Sequence, residues 1–295
     1  MRPSLRRPAA GIATLALTVG FAACGSSSDD SSSSSSTATP AATSGGTTIA
    51  VPDSVKSKGT LTIAADASYA PNEFIKPGNN EVVGMDADLG KAIGAKLGLT
   101  VKIQNATFDA IIPGIASGKY DLGMSSFTDT KEREKTVDFV TYFSAGTSFY
   151  VKASGGPAIN TIADLCNHKV AVESGTTQAD DAKAQSKKCK VTVLVYPDQT
   201  AANLALNSGR ADVGMADSPV AAYAVKQSAG TFKLVGQEYG TAPYGIAIKK
   251  GSDLVKPVED AVTSLIADGT YKKILDTWGV ENGAVEAPAV NGATS

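Results

Sequence analysis

The sequence has one histidine, His168, and three cysteines, Cys24, Cys166 and Cys189. With so few nitrogen and sulfur ligands no metal cluster is expected. His168 sits in a turn before a strand, and no nucleophile–base pair is evident, so neither catalysis nor a cofactor is expected. An excess of one charge is also missing. The net charge is -2 with both signs interspersed, which gives no sign of nucleic-acid binding. Long apolar runs are absent too: no stretch reaches the roughly 20 residues a spanning helix needs.

The first 23 residues read as a secretory signal. Arg2, Arg6 and Arg7 form a basic start, and "GIATLALTVGFAA" forms a short apolar core. It ends in "FAAC", which resembles the lipobox of bacterial lipoproteins, so Cys24 is expected to carry lipid. An ordinary secretory signal with a chance cysteine is the alternative. Residues 24–52 form a Ser/Thr/Gly-rich tether with too little apolar surface to order itself. The expected location is extracytoplasmic, anchored to the outer face of the cell membrane. Such a compartment favours pairing of Cys166 with Cys189.

From residue 53 the chain alternates strands and helices, which implies parallel sheets with helices on their faces. In "DADLGKAIGAKLG", Leu89, Ile93 and Leu97 mark a helix, with Asp86 placed to cap it and Gly98 to stop it. Residues 283–295 read as a disordered tail. A repeat organises the body: "SGKYDLGMSS" (117–126) returns as "SGRADVGMAD" (208–217), each preceded by a strand and a helix. Two similarly wound α/β lobes explain this, each delivering polar residues at a strand's C-terminal end, where such sheets bind ligands. Coincidence between two generic helix–turn–strand units is the alternative.

Three polar clusters end strands: "SSFTDTKER" (125–133), "ESGTTQ" (173–178) and Asp217. Arg133 is a planar cation able to hold a carboxylate through two N–H groups. Gly175, Thr176 and Thr177 open a helix whose N–H groups suit an anion, and Asp217 suits an ammonium group. Ser126 and Thr128 can donate or accept at short range. Together they fit a zwitterion such as an α-amino acid.

Seven stretches then occur in order: "YAPNEF" (69–74), "GMDADLGKAIGAKLG" (84–98), "FDAIIPGIASGKYDLGMSSFTDTKERE" (108–134), "VAVESGTTQ" (170–178), "GRADVGMADSPVAAY" (209–223), "APYGIAIKKG" (242–251) and "ADGTYKKILDTWG" (267–279). Across 58–279 the chain resembles the family 3 extracellular solute-binding proteins of bacterial ABC importers. The resemblance implies a two-lobed periplasmic-binding-protein-like α/β fold (type II). Its lobes would be 53–150 with 247–282, and 151–246, with "FYVK" (149–152) and "YGIAI" (244–248) as hinge crossings. It implies that Arg133 grips an α-carboxylate beside Ser126 and Thr128, that Thr177 adds donors from the other lobe, and that Asp217 takes the α-ammonium. Tyr69 and Phe108 would wall the ligand side chain, and Asp66 and Ser125 would contact it. Asn72, where the family often has an aromatic, would open or polarise the pocket.

Bland roles stay open: Tyr69 and Phe108 as packing, Asp217 as a helix cap, Arg133 as a surface partner of Glu134 or Asp138. The resemblance implies a monomer that delivers a free amino acid to a membrane permease; Asp66 and Asn72 favour a polar or basic one, since a fixed carboxylate would repel an acidic ligand. A surface receptor for amino acids, or a dehydratase-like enzyme using Glu173 as an acid, are the other classes.

Overall fold

The structure, a computed structural model, describes residues 49–294. The expected signal peptide, the lipidation of Cys24 and the tether up to residue 48 lie outside the described residues. Among the described residues no helix is long and apolar enough to cross a membrane.

Helix α1 (Asp53–Lys58) leads into β1 (Thr60–Ala65), then a small sheet of β2 (Ser68–Tyr69), β3 (Glu73–Ile75) and β4 (Val82–Val83). Next come α2 (Met85–Lys96), β5 (Thr100–Asn105), α3 (Phe108–Ala116), β6 (Leu122–Gly123) and the long β7 (Val137–Lys152). The pattern restarts with β8 (Lys169–Glu173), α4 (Thr177–Ser186), β9 (Thr192–Tyr196), α5 (Gln199–Asn207), β10 (Val213–Asp217) and α6 (Ser218–Gln227). The second long strand, β11 (Phe232–Lys249), is followed by α7 (Val255–Ala267) and α8 (Thr270–Trp278).

The main sheet has the order β5-β1-β6-β11-β7-β10-β8-β9. β1 runs parallel to β5 and β6, and β8 runs parallel to β9 and β10. Each end is thus a strand–helix–strand unit with its own apolar core. Leu61, Ile63, Leu89 and Ile93 pack with Val258, Val262 and Leu275 in the first, so the last two helices return to the N-terminal lobe. Phe149, Val170, Val172, Val213 and Met215 pack together in the second. A disulfide joins Cys166 to Cys189 there.

β7 and β11 are antiparallel and serve both lobes. β11 pairs with β6 through Ala247 and Gly123, and β7 pairs with β10 through Val151 and Val213. Of the two expected crossings, "FYVK" is seated against β10 through Phe149–Val151, and "YGIAI" reaches β6 only at Ala247 and Ile248; the ladder between the long strands slips between Val235 and Tyr239, between Tyr239 and Ala242 and, within "YGIAI", between Tyr244 and Gly245. Gly236 and Gly240 there have φ of 68° and 65°, a conformation glycine adopts without a Cβ clash.

Two further expectations are corrected. Asp86 does not cap α2, whose N-cap is Gly84; Asp86 is buried and accepts hydrogen bonds from elsewhere, described below. The tail expected to be disordered is seated as far as residue 293. Thr141 N donates to Ala289 O at 2.8 Å, and Val290 pairs with Val140. Backbone groups along that part of β7 need partners, and the tail supplies them.

The repeat decodes position by position. Gly118 and Gly209 have φ of 77° and 76° and end α3 and α5. Asp121 accepts from Thr62 N at 2.7 Å and Asp212 from Lys169 N at 2.8 Å, so each aspartate pins the start of the neighbouring parallel strand. Leu122 and Met124 enter one core, Val213 and Met215 the other. A Cβ on Gly123 would lie 2.9 Å from Ile111, and one on Gly214 would lie 2.4 Å from the Tyr150 ring. Gly214→Ala is therefore expected to destabilise the protein by about 1–3 kcal/mol, read as a lower midpoint in urea unfolding.

Candidate functional site

All ten residues singled out from the sequence line one space between the lobes, together with Glu173 and Gln178. Asp66 follows β1, Tyr69 sits on β2, Phe108 opens α3, and Ser125, Ser126, Thr128 and Arg133 lie on the segment joining β6 to β7. From the other lobe come Glu173 at the end of β8, Thr176, Thr177 and Gln178 at the start of α4, and Asp217 at the end of β10. Every element presents its C-terminal strand end or N-terminal helix end to the cleft, as doubly wound sheets do.

Arg133 faces inward. Its Nη1 donates to Thr128 O at 2.7 Å and its Nη2 to Gly175 O at 2.9 Å, so the guanidinium bridges the lobes. It lies 5.4 Å from the Phe108 ring and 5.5 Å from the Phe127 ring, and those two rings stack at 4.4 Å. Burial lowers its pKa, while Asp217 and Asp180 oppose the shift. A guanidinium has five N–H donors in a plane, and two are engaged by carbonyls.

The lobes are in contact around it. Ser174 Oγ donates to Asp109 at 3.0 Å, Gln199 N to Ser68 Oγ at 3.0 Å and Asp217 N to Tyr69 Oη at 3.0 Å. Tyr69, which lines the space, is thus a cross-cleft acceptor.

Asp217 accepts from Gln178 Nε2 at 2.8 Å, and the same amide donates to Thr147 Oγ1. Burial raises Asp217 to about 6, against the lowering effects of Tyr244, Tyr69, Gln178 and Arg133. It does not cap α6 with its side chain. Thr176 is the N-cap of α4: its Oγ1 accepts from Ala179 N at 3.1 Å and donates to Glu173 O at 2.8 Å. Its hydroxyl is therefore engaged in the cap. The N–H groups of Thr177 and Gln178 belong to the first turn, where no intrahelical acceptor exists.

Acids gather on another part of the lining. Asp66 accepts from Phe108 N at 3.0 Å and Ser68 N at 3.1 Å, and burial raises its pKa. Glu173 is 2% exposed, and its Oε1 has no hydrogen-bond partner among the described residues. Burial, then Asp66 and Asp198, push it to about 10. Arg133 is the one basic side chain in a lining that holds Asp66, Glu173 and Asp217.

Comparison with known proteins gives this geometry a family. The profile of the bacterial extracellular solute-binding proteins, family 3, matches residues 61–281. The chain belongs to that family. It is 34% identical over 248 residues to the arginine-binding protein ArgT of Corynebacterium glutamicum, covering 82% of this chain and 81% of that protein. Among solved structures it is similar to an ancestral arginine-binding protein bound to arginine (39% identity, TM-score 0.71, 75% of this chain and 98% of that one). An ancestral arginine-binding protein bound to glutamine aligns at 38% identity with TM-score 0.71, covering 76% of this chain and 99% of that one. The fold is accordingly the two-lobed periplasmic-binding-protein-like α/β fold.

In this solute-binding protein a buried polar layer stands behind the cleft. Ser125 Oγ donates to Glu73 Oε1 at 3.0 Å and Ser126 Oγ to Glu73 Oε2 at 3.1 Å. Both serines line the space, yet their hydroxyl protons point inward; Ser125 Oγ also accepts from Asp66 N at 2.8 Å and Ser126 Oγ from Asn72, so each oxygen keeps one lone pair. Asn72 is fully buried and donates to Ser126 Oγ at 2.9 Å. It neither opens nor polarises the pocket, because its position belongs to the brace and not the lining. Ser126 N donates to Asp86 Oδ2 at 2.9 Å and Tyr142 Oη to Asp86 Oδ1 at 2.7 Å. These bonds hold Ser126 at φ 52°, where a non-glycine residue is uncommon. Burial and Asp86 keep Glu73 well above the ordinary carboxyl range.

Gln178 was not singled out from the sequence. Its signal was position: the second helical residue after a Thr-Thr turn that faces the cleft.

The raised carboxyl of Glu173 has a stability consequence. Between the ordinary carboxyl range and about pH 10 the folded protein holds a proton the unfolded chain has lost, so stability falls as pH rises. The slope is at most about 1.4 kcal/mol per pH unit for one proton. Glu173→Gln is expected to flatten the fall in thermal midpoint between pH 6 and 9 in ligand-free protein.

Proposed function

We propose that this protein is an extracytoplasmic, membrane-anchored receptor component of an ABC importer that captures a free amino acid with a cationic side chain. The observation that carries the reading is the joint presence, in one cleft, of inward-facing Arg133 and Asp217 with Glu173, whose Oε1 has no hydrogen-bond partner among the described residues. Arg133 grips the ligand's α-carboxylate, with Thr128 and the N–H groups of Thr177 and Gln178 beside it. Asp217 takes the α-ammonium, and the lone pairs of Ser125 and Ser126 accept from it or its neighbours. Tyr69 and Phe108 wall the aliphatic part. Asp66 and Glu173, from opposite lobes, take the side-chain cation, and its charge removes the reason for Glu173 to keep a proton. The similarity to proteins named for arginine supports this choice among amino acids.

The lobes, 53–150 with 247–282 and 151–246, close on the ligand because its contacts are split between them. Closure is a population shift whose size equals the ligand's preference for the closed state. Charge-assisted hydrogen bonds contribute roughly 1.5–3 kcal/mol each, so a few support micromolar affinity, about −8 kcal/mol. The loaded monomer then docks on the permease.

Isothermal titration with the twenty amino acids is expected to give micromolar binding for arginine or lysine, weaker binding for glutamine and none for glutamate. Mass spectrometry should recover the ligand unchanged. Arg133→Ala should weaken binding by at least about a hundredfold, the loss of two charge-assisted bonds. If no amino acid binds wild-type protein, the reading fails.

Lipidation of Cys24 is part of the same proposal, resting on the "FAAC" motif and the polar tether. Cys24→Ala is expected to release the protein into the soluble fraction of expressing bacteria, and the wild-type N-terminal peptide to carry acyl mass.

A further inference from the structure

The family profile ends at residue 281, but the ordered chain continues. After Gly283 it runs back along β7. On one side β7 pairs with β11 throughout; on the other, β10 reaches only residues 147–151. Residues 137–145 thus have no named strand on that side among the described residues, and the terminal segment lies there.

The attachment is built mostly from polar contacts. Thr141 N donates to Ala289 O and Ala289 N to Thr141 Oγ1, both at 2.8 Å. Asn291 binds three ways: its N donates to Phe139 O at 2.9 Å, its Oδ1 accepts from Phe139 N at 2.9 Å, and its Nδ2 donates to Asp138 Oδ1 at 2.9 Å. Asn291 has φ 54°, a left-handed conformation asparagine tolerates better than most residues. Beyond it, Ala293 N donates to Glu134 Oε1 at 3.2 Å, and Gly292 lies beside the buried carboxyl of Asp129. Asp129 follows Thr128 and Glu134 follows Arg133, so the segment's end touches the neighbour of each grip residue.

We infer that residues 289–293 are a positioning strap that fixes the 128–134 segment and thereby sets the geometry with which Arg133 and Thr128 meet a ligand. Val290 is 41% exposed, so the strap buries little apolar surface and its removal acts on local opening more than on global unfolding. The effect on affinity rests on the proposed binding role; the effect on segment order does not.

The test uses a chain ending at Pro288, which keeps the contact of Val285 N with Tyr271 Oη, and Asn291→Ala in the full chain. Amide exchange is read at Asp129, Glu134 and Thr136, whose N–H groups donate to Pro243, Thr130 and Arg133 carbonyls. Faster exchange at these amides, a thermal midpoint lowered by only a few degrees, and about tenfold weaker arginine binding are expected on truncation, which removes all six hydrogen bonds of the strap while only part of their effect reaches the cleft. Asn291→Ala should shift exchange and affinity in the same direction by less, and it decides the matter if the truncated chain does not fold. Unchanged exchange overturns the inference, as does faster exchange with affinity within twofold of wild type. Should the intact chain bind no amino acid, the proposed function fails and exchange alone judges the strap.

Discussion

Arg133 imposes the main constraint on this molecule, because a guanidinium cannot lose its charge and must be satisfied wherever it is placed. Here it is drawn from water against two stacked phenyl rings and tied to carbonyls of both lobes, at Thr128 and Gly175. That arrangement needs the β6–β7 segment to fold back on itself, the Ser174–Gly175 turn to approach it, and Asp217 to stand near enough to oppose the effect of burial. Much of the surrounding structure serves these three requirements.

The carboxyl groups show the complementary problem. Glu73 is buried with Asp86 as a neighbour, but Ser125, Ser126 and Tyr142 donate to the pair, so its role is internal: it holds the serines at the cleft. Glu173 is equally buried and lacks such a partner at Oε1. Burial without a hydrogen bond is unfavourable unless a group stays neutral or meets a cation. One acid is therefore a brace and the other an open valence in the cleft, although both are glutamates at the ends of short strands.

Much of the fold was legible because it rests on local chemistry. The repeat "SGxxDxGM" could be read as two equivalent units, since helix-ending glycines, strand-pinning aspartates and cramped glycines are dictated within a few residues. The cleft lining was also legible: polar clusters at strand ends have one place to go in a parallel sheet. What escaped was long-range. Asp86 looks like a helix cap beside its own helix, and only the approach of Ser126 and Tyr142 reveals why it is buried. Asn72 reads as a pocket residue for the same reason. Gln178 is one polar residue of a polar helix until Asp217 and Thr147 arrive on either side of its amide.

The tail marks the boundary most clearly. It is short and made mostly of small residues, which by itself predicts fraying; its order comes from an edge of β7 that exists only once two distant strands have paired. Sequence alone therefore determined the two α/β units and the set of residues facing the cleft, since each depends on spacing or strand ends. Tertiary structure decided which carboxyls are buried and how each is braced, which hydroxyls are tied up behind the cleft and where the chain's last residues lie, because each is set by partners separated by tens of residues or more.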